Sequence, residues 1–149
     1  MAGLVPRQHP ESDRREAVTH SPFPKYVKHA IDLVGEHAYE SHLEYNLAAV
    51  IVSGGSVLSV GYNSSKVTSF IRAFGLERNH MHAECDAILS ARNKIDLNGS
   101  KLYVARLTLK RGIVGNAKPC DMCMHAAFMY GIKRIYYTVN ENTYAVIRP

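Results

Sequence analysis

At 149 residues the chain can hold one compact domain with a hydrophobic core and is too short for two ordinary ones. Hydrophobic residues make up 46% and charged residues 21%, and no apolar run is long enough to cross a bilayer, which excludes a membrane-spanning helix. A formal net charge of +5 suits a ligand that carries phosphate, although the same balance also serves plain solubility.

The charge is unevenly spread. Between Leu97 and Cys120 stand Lys101, Arg106, Lys110, Arg111 and Lys118, with no Asp or Glu among them. The N-terminus lacks the basic, apolar and small-residue succession of a secretory signal, so an intracellular, cytoplasmic setting is expected, with the three cysteines reduced.

Residues 1–23 are polar, contain Pro6, Pro10 and Pro22, and show no sustained periodicity. They are expected to form a mobile arm, leaving residues 24–149 as the single domain. From Lys25 to about Glu40, Val27, Ala30, Ile31, Val34 and Ala38 recur at helical spacing, giving an amphipathic helix. The run Leu47 to Val52 is apolar without interruption, as in a strand buried on both faces. Gly54-Gly55 then turns the chain into a valine-rich strand, Ser56 to Tyr62, completing an antiparallel hairpin.

Residues 63–80 read as a long loop that forms the mouth of a pocket, with Phe70 and Phe74 available to stack on a ring. A helix follows from about Met81 to Asn93, burying Ala87, Ile88 and Ala91. Next come a strand from Lys101 to Leu107 and a connection over residues 108–118 that is either a long link or an extended hairpin. A helix from Pro119, closed by Gly131, leads to a strand from Arg134 to Val139. A last strand over Thr143 to Ile147 must pair antiparallel with its predecessor, because residues 140–142 cannot hold a crossover. Strand-helix-strand succession of this kind predicts an α/β layered domain.

Three short pieces carry chemistry: His82-Ala83-Glu84, Pro119-Cys120-Asp121-Met122-Cys123, and Asn63 after the second strand of the hairpin. The first two match the H-x-E and P-C-x-x-C signature of zinc nucleobase deaminases. The chain thus resembles the cytidine and deoxycytidylate deaminase superfamily over about residues 45–139, where Gly61-Tyr62-Asn63, Leu102-Tyr103-Val104 and Gly131-Ile132-Lys133-Arg134 fall in the family's order. The resemblance implies a three-layer cytidine-deaminase-like fold, a mixed central sheet of four or five strands with helices on both faces. It also implies hydrolytic removal of a nucleobase amine, with Zn2+ as the cofactor.

The spacing agrees with that chemistry. Cys120 and Cys123, three apart at a helix start, point the same way, and the helix amides favour the thiolate form that binds metal. His82 supplies a third ligand, and three protein ligands leave a fourth position open, as in catalytic sites. Glu84, two residues from His82, can address the same site only at a helix end, where it serves as base and then acid. A lone C-x-x-C could equally be a redox pair or half of a structural site, but no second pair completes four thiolates. By the resemblance, Asn63 contacts the sugar of the substrate and the carbonyl of Ala83 reads the base. Cys85 reads as a small buried hydrophobe facing away from the ligands, while His80 and His125 are second-rank candidates.

The expected substrate is free cytosine nucleoside or nucleotide such as deoxycytidine monophosphate. The alternative is cytosine or adenine within single-stranded DNA or RNA, for which basic loops would track phosphates. Nucleic acid and a second copy of the chain therefore stand beside the small molecule as partners to be tested. A relative's short link ending in Ser or Glu before Pro-Cys is replaced here by a basic one ending in Ala117-Lys118.

Overall fold

The computed structural model describes residues 15–40, 45–64, 82–108 and 112–149. In chain order the elements are β1 (Arg15–His20), α1 (Lys25–Glu40), β2 (Tyr45–Ser53), β3 (Ser56–Tyr62), α2 (Ala83–Ala91), β4 (Lys101–Thr108), β5 (Val114–Gly115), α3 (Asp121–Met129), β6 (Arg134–Asn140) and β7 (Thr143–Arg148). One mixed sheet runs β1-β7-β6-β4-β2-β3, with β5 paired to β4 off that path. The β4–β6 pair is parallel, Lys101 to Val104 lying beside Arg134 to Tyr137, and the other pairings are antiparallel.

β2 shows why the sheet sits between helices. Its alternate residues Ala48, Val50 and Val52 pack under Val27, Ala30 and Val34 of α1. Ala49 and Ile51 point the other way, into a core with Ala87 and Ile88 of α2 and Met124 and Ala127 of α3. An apolar run with no alternation is what a strand covered on both faces requires. Fully burying a side chain such as Ile51 or Ile88 contributes about 1.5–3 kcal/mol. On the α1 face, the register sets Tyr103 beside Tyr136, their rings stacked at 4.5 Å.

The α/β, three-layer expectation holds, but the sheet has seven strands among the described residues and not four or five. Of the connection over residues 108–118, the described part carries β5, which pairs antiparallel with β4 as in the hairpin alternative, and β7 returns antiparallel to β6. Residues 15–20 of the expected arm form β1, paired with β7 from Arg15↔Arg148 to His20↔Thr143. All six side chains of β1 are exposed, so this strand is made by backbone pairing at a sheet edge and leaves no hydrophobic pattern to read. The earlier part of the arm lies outside the described residues. No helix among the described residues is long and apolar enough to cross a membrane.

Candidate active site and metal centre

Two helix starts face one cleft. His82 is the N-cap of α2, with extended backbone (φ −81°, ψ 148°), and its carbonyl accepts the amide of Asp86 at 3.0 Å. Because His82 stands outside the helix and Glu84 is its second residue, both reach the same cleft despite their i, i+2 spacing. Cys120 is the N-cap of α3, likewise extended in backbone, and unlike His82 it caps with its side chain, its Sγ accepting the amide of Cys123 at 3.4 Å. The segment before it is held down by Ala117 N donating to the Thr138 carbonyl at 2.8 Å and Thr138 Oγ1 donating to the Gly115 carbonyl at 2.8 Å.

α2 is pinned to β3 by Ser59 Oγ donating to the Ala87 carbonyl at 2.7 Å and by Tyr62 N donating to Asp86 Oδ2 at 2.9 Å. Gly61 makes this possible: a Cβ there would collide with the backbone of Ala83 and Ala87.

His82 Nδ1 lies 3.2 Å from Cys123 Sγ and 3.7 Å from Cys120 Sγ, and all three ligand atoms fall within 4.8 Å of one another. Donors around one tetrahedral zinc sit about 3.5–3.8 Å apart, as follows from Zn–N and Zn–S lengths of about 2.0 and 2.3 Å. The group therefore fits zinc, with two thiolates and an imidazole as a borderline-soft donor set.

Cys120 is held down to about 4, chiefly by the hydrogen bond from Cys123, with burial opposing and His82 assisting. Cys123 is pushed up by the same bond, by Cys85 and by burial. Metal uptake requires both sulfurs as thiolates and so releases whatever protons they hold. Burial pushes the carboxyl of Glu84 up to about 7, while its own backbone amide and His82 pull it down and Cys120 adds to the rise. A divalent cation on the neighbouring ligands opposes that rise.

The cleft, about 220 Å³, is lined by Tyr45, Leu47, Asn63, His82, Ala83, Glu84, Lys118 and Cys120. Every site residue read from the sequence except Cys123 lines it, and Cys123 is buried directly behind, against His82. Asn63 also ties the strands together beside the cleft, since its Oδ1 accepts the amide of Leu47 and its Nδ2 donates to the Tyr45 carbonyl, each at 2.9 Å. Phe70, Phe74, His80, Lys110 and Arg111 lie outside the described residues, and His125 is half-buried on α3 away from the cleft lining.

Two residues differ from what spacing alone suggests. Tyr45 lines the cleft with the Arg106 guanidinium over its ring at 4.2 Å, a contact across β2 and β4 that sequence spacing does not reveal. Cys85 is buried as expected but does not face away from the ligands: its Sγ is 3.5 Å from that of Cys123. The helix begins at Ala83, which turns Cys85 inward onto α3.

A mixed sheet that presents His-x-Glu at one helix start and Cys-x-x-Cys at the next, around a single cleft, defines a zinc-dependent hydrolytic deaminase. Its sequence carries the same conclusion. The chain belongs to the cytidine and deoxycytidylate deaminase zinc-binding family, whose model matches residues 23–139. A search of curated proteins finds no match.

Among solved structures, it is similar to dCMP deaminase from the cyanophage S-TIM5 in apo form (19% identity, 78% of this chain and 85% of that one, TM-score 0.54). The same enzyme in complex with dCMP and dUMP matches at 19% identity over 77% and 82% of the two chains, with a TM-score of 0.50. Guanine deaminase from Bacillus subtilis matches at 22% identity over 76% and 62%, with a TM-score of 0.49.

Proposed function

We propose that this enzyme deaminates cytosine in a free nucleotide, deoxycytidine monophosphate being the best candidate, with zinc held by His82, Cys120 and Cys123. Zinc in such a site is a Lewis acid that brings the ionisation of water into the neutral range. Glu84, buried at 3% exposure beside the ligands, takes the proton of the attacking water and delivers it to the departing amine. Ala83 offers its backbone to the base. Asn63, held by both ends of its amide, offers its remaining hydrogen-bonding capacity to the sugar.

Lys118 is the observation that carries the choice of a nucleotide. It is the one Lys or Arg side chain lining the cleft among the described residues, and its Nζ sits 3.3 Å from Glu16 Oε2 in a half-exposed pair. Such a pair contributes about 0–1 kcal/mol, so a terminal phosphate can take over the lysine at little cost. One cation among the described residues at the cleft suits one monomer rather than a phosphate chain. The cyanophage enzyme of similar fold, described with dCMP and dUMP, supports the same substrate class.

A turnover comparison of deoxycytidine, its monophosphate, single-stranded DNA and RNA tests the reading. The monophosphate is expected to have the highest kcat/KM, and Lys118→Ala to raise its KM about tenfold while leaving the nucleoside unchanged. Turnover of DNA or RNA with none on any free cytosine nucleoside or nucleotide, and an affinity falling steeply with salt, would establish the polymer substrate instead.

A further inference from the structure

Cys85 is absent from the reaction described above, yet it is wholly buried on α2 with its Sγ 3.5 Å from Cys123 Sγ. We infer that Cys85 is a positioning residue for the metal centre: its thiol donates a hydrogen bond to the Cys123 thiolate. The inference rests on the zinc reading and follows from three observations.

The first is geometric. His82, Cys120 and Cys123 bring their ligand atoms within 4.8 Å of one another, and Cys85 is not part of that group. It touches one ligand from behind, on the core side, and is therefore placed to bond a ligand and not the ion. The second is directional. Once Cys123 binds metal as a thiolate it has no proton to give, so in a sulfur–sulfur contact at 3.5 Å the donor must be Cys85.

The third is electrostatic. Two thiolates gather on one divalent cation in a site where Cys123 is buried, with the buried Glu84 carboxyl beside the same cleft. A neighbouring donor spreads the thiolate charge without adding a further anion. Partners of metal ligands usually change metal affinity by about 10–100-fold when removed, and a thiol, a weak donor, belongs at the lower end. Cys85 also follows Glu84 directly on α2, so the bond ties the backbone that carries the proton-shuttling carboxylate to the ligand on α3.

The test uses the full-length protein loaded with zinc, and in a parallel preparation with cobalt(II). Competition with a chromophoric chelator gives the zinc dissociation constant, and the cobalt protein gives the energy of the thiolate-to-metal charge-transfer band. Cys85→Ala is expected to weaken zinc about tenfold and to move the band to lower energy, because a thiolate without its donor gives up an electron more easily. Cys85→Ser, which keeps a donor, is expected to restore most of both. If the alanine variant does not fold, Cys85→Val fills the space without a donor and takes its place.

Zinc affinity within about twofold of the parent and an unmoved band would reduce Cys85 to core packing. Three sulfurs around the metal by X-ray absorption, falling to two in Cys85→Ala, would make it a ligand and overturn the inference from the other side. Cys120→Ala, run beside these variants, separates the two levels: unchanged zinc binding there would defeat the zinc assignment itself, whatever Cys85 does.

Discussion

Replacing Gly61 by alanine tests whether the close seat of α2 on β3 sets the active geometry. A Cβ at this position would stand 2.8 Å from Ala87 Cα and still nearer to Ala87 N and the Ala83 carbonyl oxygen. All three are backbone atoms, so no rotamer change relieves the clash. Ordinary contact begins at 3.4 Å, and the nearest of these backbone atoms requires α2 to retreat by about an ångström. That movement stretches the bonds from Ser59 to the Ala87 carbonyl and from Tyr62 to Asp86.

Overpacking of this kind costs about 1–3 kcal/mol, which for a domain of this size lowers Tm by roughly 3–10 °C. His82 and Glu84 ride on the same helix start, and a displacement of this order at reacting groups costs turnover up to about a hundredfold. Thermal denaturation and steady-state kinetics of zinc-loaded Gly61→Ala measure both effects. Gly55→Ala is the control: its φ of +78° makes alanine strained, by about 1 kcal/mol, but nothing lies within 4 Å, so turnover should be untouched. A Gly61→Ala protein that melts within about 1 °C of the parent and turns over within about twofold would refute the reasoning.

Glu84→Gln should keep about one zinc per chain and lose at least about a hundredfold in kcat; near-parent turnover would move the proton shuttle elsewhere. Cys120→Ala should lose both stoichiometric zinc and activity, read by elemental analysis, and chelator-treated parent should regain activity when zinc is returned. Tyr103, buried and stacked on Tyr136, is raised from 10 to about 12, burial being the largest cause. Its neutral form is the folded one, so its contribution to stability is complete below pH 10 and is lost as the pH rises toward 12. Denaturant midpoints across that interval should fall less steeply in Tyr103→Phe, and identical slopes would count against the assignment.

The gathering of the site residues at one cleft was legible because they lie close in sequence. His82 and Glu84 are two apart, Cys120 and Cys123 three apart, and each pair opens a helix whose periodicity and punctuation can be read. β2 was legible for a similar reason: the apolar run from Leu47 to Val52 has to be covered on both sides. What escaped was contact between elements. The meeting of Cys85 with Cys123 depends on where α2 starts and how it lies on α3, and no spacing within either helix encodes that. The seating of Arg106 over Tyr45 likewise depends on the pairing of β2 with β4. β1 escaped because its pairing is written in backbone amides and carbonyls, which every sequence possesses.

β1 also has an alignment problem that its own side chains leave unsolved. A strand with a buried face resists slipping because its apolar residues would be moved out of the core, but here all six are exposed and either direction of slip would leave them so. Glu16 supplies what is missing. Its carboxylate accepts the hydroxyl of Tyr137, a partner fixed in β6, and pairs more weakly with Lys118. A slip of two residues would carry that carboxylate about 6–7 Å along the sheet edge and break both. One acidic side chain thus works as a vernier for the amino-terminal strand, and its zero mark is the hydroxyl of Tyr137 on β6.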